Sequence, residues 1–150
     1  MLSDRPIPGD IDLRLSKLAA RWAEDEEVAA VYLFGSRGRG DAAPRSDIDL
    51  AVVLAGVLDG DARWRKRMEL LASATQVLAT DAVDAIVLED APIILGHRVL
   101  RDGRLLCERD PRRRTAVAET IMRRYLDEEY LRAALDRALS ARLREGRFAD

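Results

Sequence analysis

Two short apolar runs constrain this chain more than any other feature. Val28–Phe34 (VAAVYLF) and Ile48–Leu54 (IDLAVVL) are rich in β-formers, and Gly35 and Gly56 close them. Runs of this length and composition read as buried strands. A third run, residues 83–88, is apolar except for Asp84, and residues 104–107 form a short edge strand after the turn signal "RDG".

Helical spacing fills the rest. In residues 10–23, Ile11, Leu15, Leu18, Ala19 and Trp22 recur on one face. In residues 60–80 the set is Trp64, Met68, Leu71, Thr75 and Leu78, with Asp61 available as a cap. Residues 92–100 suggest a short helix. Asp110 followed by Pro111 is a strong helix start, and no breaker follows before Gly146. The order α-β-β-α-β-α-β-α predicts an α/β (α+β) fold, a small mixed β-sheet flanked by helices.

The 150 residues are enough for one domain with a real core. A continuous helix over 111–145 would be about 50 Å long, against a radius of gyration of about 15 Å for a globule of this size. Part of it must therefore project, bend or lie on another chain. Val117, Ile121, Tyr125, Leu131, Leu135, Leu139 and Leu143 form one stripe, predicted to face the body. Met122, Leu126 and Tyr130 form a second stripe, which would meet a partner or else lie within the chain's own fold or at a bend near Asp127. We thus read residues 1–150 as a single domain whose 111–146 segment is a long helix used in partner contacts.

Composition excludes several function classes. The chain is 48% hydrophobic and 35% charged, and it has no apolar run near the roughly 18 residues of a membrane span. The start "MLSDRPIPGDIDL" lacks the basic and apolar parts of a signal peptide, so the expected compartment is cytoplasmic. Cys107 and His97 are the only cysteine and histidine, which rules out a disulfide framework and the usual zinc sets within the chain. A net charge of −2 gives no global field for nucleic acid, and direct nucleic-acid binding is not expected. The basic clusters at 63–67 and 112–114 read as solvated helix faces.

The chemistry concentrates in "FGSRGRGDAAPRSDIDLAVV", residues 34–53. Side chains alternate along a strand, so Asp47 and Asp49 share one face while Ile48 and Leu50 share the other. Paired carboxylates repel and are costly to desolvate, which makes sense if a divalent cation lies between them. Mg²⁺ suits such a site because it takes oxygen ligands and is commonly completed by substrate phosphates. Asp84, isolated in an apolar strand, would complete a three-carboxylate site for in-line nucleotidyl transfer. Gly35 lets backbone approach a ligand closely, Ser36 adds a hydroxyl, and the amides after them can cradle phosphate. Arg37, Arg39 and Arg45 are near enough in sequence to neutralise phosphate charge.

Gly35-Ser36, ten intervening residues, then Asp47-Ile48-Asp49 resembles the G-S-x10-D-x-D motif of the minimal nucleotidyltransferases (MNT) of the DNA polymerase β-like superfamily. The continuation "VDAIVLEDAPIILGHRVLRDGRLLCERDP" is similar to the second half of MntA-type antitoxins, the adenylyltransferases of MNT/HEPN toxin–antitoxin pairs. The resemblance covers roughly residues 28–110. It implies a polymerase β-like palm fold, a nucleotide triphosphate held at Gly35 and Ser36, Mg²⁺ on Asp47 and Asp49, and Asp84 as the third catalytic carboxylate. It further implies transfer of AMP from ATP to a tyrosine of a HEPN ribonuclease toxin encoded next to this chain, in a hetero-oligomer with it. The toxin's own R-x4-H motif is absent, since Pro92 stands five residues before His97.

Rival readings differ in their acceptor or class. A small-molecule nucleotidyltransferase, of the kind that modifies aminoglycosides, usually carries a further acceptor-binding domain. Neutralisation by binding alone would leave the carboxylates idle. Gly38-Arg39-Gly40-Asp41-Ala42-Ala43 matches a dinucleotide fingerprint, but Pro44 and a strand follow where a helix should open. No P-loop occurs. His97 and Cys107 read as structural.

Overall fold

The computed structural model describes residues 5–41, 43 and 46–146. The N-terminal start, Pro44 and Arg45 lie outside the described residues. The elements are α1 (Ile11–Trp22), β1 (Val28–Phe34), α2 (Gly35–Arg39), β2 (Ile48–Leu54), α3 (Gly60–Leu78), β3 (Val83–Val87), α4 (Ile93–Asp102), β4 (Arg104–Glu108) and α5 (Pro111–Arg144). A 3₁₀ turn, Leu88–Asp90, links β3 to α4. The α/β expectation holds, and the strand order is β3-β2-β1-β4. β1 is antiparallel to both β2 and β4, whereas β2 and β3 are parallel.

Strand alternation divides the interior into two cores. Leu50 and Val52 of β2 join α1 (Leu15, Leu18, Trp22) and α3 (Leu70, Ala74, Leu78) on one face. Ala51 and Val53 join α4 (Val99) and α5 (Val117, Ile121) on the other. The sheet is thus covered on both faces, as a parallel β2–β3 pair with a helical crossover requires.

The inward face of α3 differs from its predicted one. Its buried residues are Lys66, Leu70, Ala74 and Leu78, while Trp64 is 61% exposed. A charged residue in the inward stripe hides the true period from an apolar pattern. The Lys66 ammonium lies 2.6 Å from Asp25, which satisfies it inside the fold. The cap also differs: Asp59, with extended backbone, accepts from the Ala62 amide at 2.8 Å, one residue before the helix begins at Gly60. Asp110 caps α5 as predicted, accepting from the Arg113 amide. α4 runs on through Arg101 and Asp102, so the predicted turn there is the last turn of a helix.

α5 corrects another expectation. Val117 and Ile121 are its only buried residues, and Tyr125 stacks on His97 with centroids 3.6 Å apart. Beyond that stack the stripe predicted to face the body is free: Leu131, Leu135, Leu139 and Leu143 are all at least half exposed. Four strands about 4.8 Å apart cannot underlie 34 residues rising about 1.5 Å each. Met122, Leu126 and Tyr130 are also exposed.

The basic clusters are not solvated faces either. Arg63 binds Asp90 and the Leu58 carbonyl, and Arg67 binds Asp84 and the Ala85 carbonyl. Arg113 donates to the Leu54 carbonyl while Glu89 accepts from the Leu54 amide, clamping the end of β2 to α5. Arg114 pairs with Glu108 and donates to the Tyr32 hydroxyl. A sequence does not show which carboxylate or carbonyl a helix cation will reach.

Candidate active site

Register brings the predicted residues together. Phe34 of β1 lies opposite Asp49 of β2, and Asp49 lies beside Asp84 of β3. Phe34, Asp49 and Asp84 therefore stand in one row across three adjacent strands, and Gly35 follows directly at the β1 end of it. Asp49 and Asp84 project on the face of Ala51 and Ile86, the side covered by α4 and α5. Asp47, two residues before Asp49, precedes the strand and is exposed.

Gly35 is required by geometry. Its φ is +67°, a conformation L side chains rarely adopt, and a Cβ there would lie 2.5 Å from Asp49 Oδ2. The chain turns sharply out of β1 and lays backbone directly on the carboxylate. α2 starts at once, with no side chain capping its first amides. Gly38 is packed equally tightly, because a Cβ there would strike the Leu33 carbonyl. Gly40, at φ +81°, ends the turn in open space. The Ser36 carbonyl accepts from the Asp41 amide at 3.0 Å, pinning the turn on the loop side.

The arginines of the motif are partly occupied. Arg37 Nε donates to the Ser46 carbonyl at 3.0 Å and so braces the segment leading into Asp47. Arg39 pairs with Asp41 at 3.3 Å on the surface.

Electrostatics fit a cation site. Burial pushes the Asp49 carboxyl above its ordinary pKa, and the negative charges of Asp47 and Asp84 push it further. No described cation forms an ion pair with Asp47 or Asp49. Asp84 differs: its Oδ1 accepts from the Ala85 amide at 2.8 Å and faces Arg67 Nη2 at 3.4 Å. Among the described residues, no three His, Cys, Asp or Glu side chains stand together as a metal cage. The donor set nevertheless suits a hard divalent ion: all oxygen, with Asp47 and Asp49 unneutralised.

Arg67 is the residue that sequence reasoning missed. Its position in a basic helix cluster gave no sign that it reaches β3. Beyond it a cleft of about 440 Å³ opens between α3, β3 and the start of α4, with Trp64, Arg67, Ile86, Pro92 and Leu95 among its walls. Among the described residues, no helix is long and apolar enough to cross a membrane.

Comparison with known proteins shows what the chain is similar to. Over 80 residues the chain is 40% identical to the protein adenylyltransferase MntA of Shewanella oneidensis, covering 53% of this chain and 54% of that protein. The chain thus matches about half the length of this curated relative. A toxin–antitoxin crystal structure with AMP-PNP superposes with a TM-score of 0.62 at 28% identity, covering 83% of this chain and 98% of the other. A tri-AMPylated S. oneidensis HEPN toxin in complex with its MNT antitoxin gives 0.58 at 27% identity, covering 86% and 98%. Residues 16–112, which include β1 to β4 and all three aspartates, match the family described as "Polymerase beta, Nucleotidyltransferase", and the chain belongs to that family.

Proposed function

We propose that this chain is an antitoxin that transfers AMP from ATP to a tyrosine of a HEPN-domain ribonuclease toxin and thereby silences it. The observation that carries the reading is the row Phe34, Asp49, Asp84, with the backbone of Gly35 laid on the central carboxylate. The similarity to MntA, the AMP-PNP complex and the AMPylated toxin complex supports the choice of nucleotide and partner.

In this reading Gly35, Ser36 and the α2 amides hold the triphosphate, with Arg37 and Arg39 flanking it. Asp47, Asp49 and Asp84 would hold Mg²⁺, which when bound offsets phosphate charge and stabilises charge developing in transfer. The tyrosine oxygen attacks the α-phosphorus, the bond to the β-phosphate breaks, and pyrophosphate leaves with the electron pair. The phenol proton passes to a carboxylate of the row or to solvent. The exposed leucine stripe of α5 supplies a partner surface.

Labelled ATP and Mg²⁺, incubated with this chain and the product of the neighbouring gene, test the proposal. Labelling of a partner tyrosine, abolished by Asp47→Asn with Asp49→Asn, is the expected result. Growth rescue by the double variant equal to wild type would establish neutralisation by binding instead. Labelling of aminoglycosides in place of the partner would establish the small-molecule reading.

A further inference from the structure

The cleft beyond Arg67 is not accounted for by the phosphate and metal roles above. We infer that it is the acceptor subsite, taking the aromatic side chain and flanking peptide of the partner's tyrosine against Trp64. This rests on the adenylyl-transfer reading.

Strand order fixes the side from which the acceptor can come. In-line displacement places the nucleophile and the leaving pyrophosphate on opposite sides of the α-phosphorus. Gly35 and Ser36, the phosphate-holding end, top β1; Asp49 is next on β2; Asp84 is beyond it on β3. Adjacent strands are about 4.8 Å apart, so the row runs about 10 Å from Phe34 to Asp84. The nucleophile must then approach over β3, the edge strand. The cleft is on that side. Arg67 joins it to the row, because the residue whose guanidinium faces Asp84 is also one of the cleft's walls.

Its walls select the chemistry. Trp64 is 61% exposed on a helix whose buried face is elsewhere, and Ile86, Pro92 and Leu95 provide apolar surface. An indole wall over an aliphatic floor suits an aromatic ring. The acid among its walls, Asp90, is already paired with Arg63. The cleft therefore presents no surplus negative charge to attract a polycationic small molecule. Its volume falls in the roughly 300–1,000 Å³ range of specific ligand sites.

Fluorescence and kinetics test the assignment. Trp22 is 2% exposed and Trp64 61%, so acrylamide-quenchable emission reports Trp64 in the unmodified chain. N-acetyl-tyrosinamide and the HEPN-domain partner should each shield it, and AMP-PNP alone should not. Trp64→Ala should raise KM for the partner about tenfold, the scale of one aromatic contact, with AMP-PNP affinity unchanged, and Trp64→Phe should restore most of it. Shielding by AMP-PNP with none added by the acceptor would make the cleft a base site and overturn the inference. So would wild-type KM for the partner in Trp64→Ala. A wild-type chain that transfers AMP to no tyrosine defeats the function reading and this inference together; active wild type with an unaffected Trp64→Ala defeats this inference alone.

Discussion

Replacing Gly35 and, separately, Gly40 by alanine isolates what the Gly-Ser turn does. Both glycines have positive φ, +67° and +81°, so each alanine incurs the left-handed penalty of about 1–2 kcal/mol. Reduced freedom of the unfolded chain offsets about 0.4–1 kcal/mol of that. The net, about 1 kcal/mol, should lower Tm by roughly 2–4 °C in a domain of this size. There the similarity ends. A Cβ at Gly40 meets nothing within 4 Å, whereas one at Gly35 lies 2.5 Å from Asp49 Oδ2. Bringing that pair to ordinary contact moves the carboxylate or the turn by about 1 Å, a misplacement of the kind that costs about 10²-fold in rate. Gly35→Ala should therefore lose about a hundredfold or more in AMP transfer at a modest loss of Tm, and Gly40→Ala should stay within a few-fold of wild type. Adding Asp49→Asn to Gly35→Ala should cost much less than it costs wild type, because the two changes damage one contact. Equal transfer rates for the two alanine variants at similar Tm would refute the claim that backbone seated on Asp49 organises the site.

Three further outcomes follow from charge and exposure. Burial, then Asp47 and Asp84, hold the Asp49 carboxyl above its ordinary range, so its ionised form weighs against folding and that penalty fades as pH falls through the raised pKa; Asp49→Asn should melt higher than wild type at pH 7 and lose that advantage in acid, and a lower melting point at pH 7 would contradict it. Burial lowers the Lys66 pKa and raises that of Asp25, but their hydrogen bond and charge outweigh it, leaving Lys66 raised and Asp25 lowered. Lys66→Met should cost about 2–3 kcal/mol at pH 7 and, in urea titrations, lack the wild-type stability loss as pH rises through the Lys66 pKa; identical alkaline limbs would argue against the pair. Leu131, Leu135 and Leu139 changed together to serine should alter stability by less than about 0.5 kcal/mol per site while abolishing capture of the HEPN-domain partner, and wild-type capture would remove α5 from the interface.

The strands were legible as continuous apolar runs of β-formers closed by glycine, and the acid pair through the period-two alternation of a strand, both of which a sequence carries directly. Val28–Phe34 and Ile48–Leu54 form with the same bounds as their apolar runs, and Asp84 stands beside Asp49 where a lone acid in an apolar strand suggested a partner. What sequence hid were pairings across elements. Lys66 looks like a surface residue until Asp25 is seen next to it, and Arg67 looks solvated until β3 lies under it. The α5 stripe was correct as a pattern and wrong as to its cover: the same periodicity marks a helix against its own sheet and one awaiting another chain.

The His97–Tyr125 stack gives α5 two different lives. Up to that point the helix shares the cooperativity of the domain, since Val117 and Ile121 unfold only with the core they fill. Past it, hydrogen-bonded turns stand with almost no tertiary burial, and in proteins most helical stability comes from packing an amphipathic face rather than from propensity. Amide exchange should therefore fall into two classes along one unbroken helix, slow before the stack and orders of magnitude faster after it. A partner seated on the leucines would merge the two into one, turning the outer turns from a local equilibrium into part of the global one.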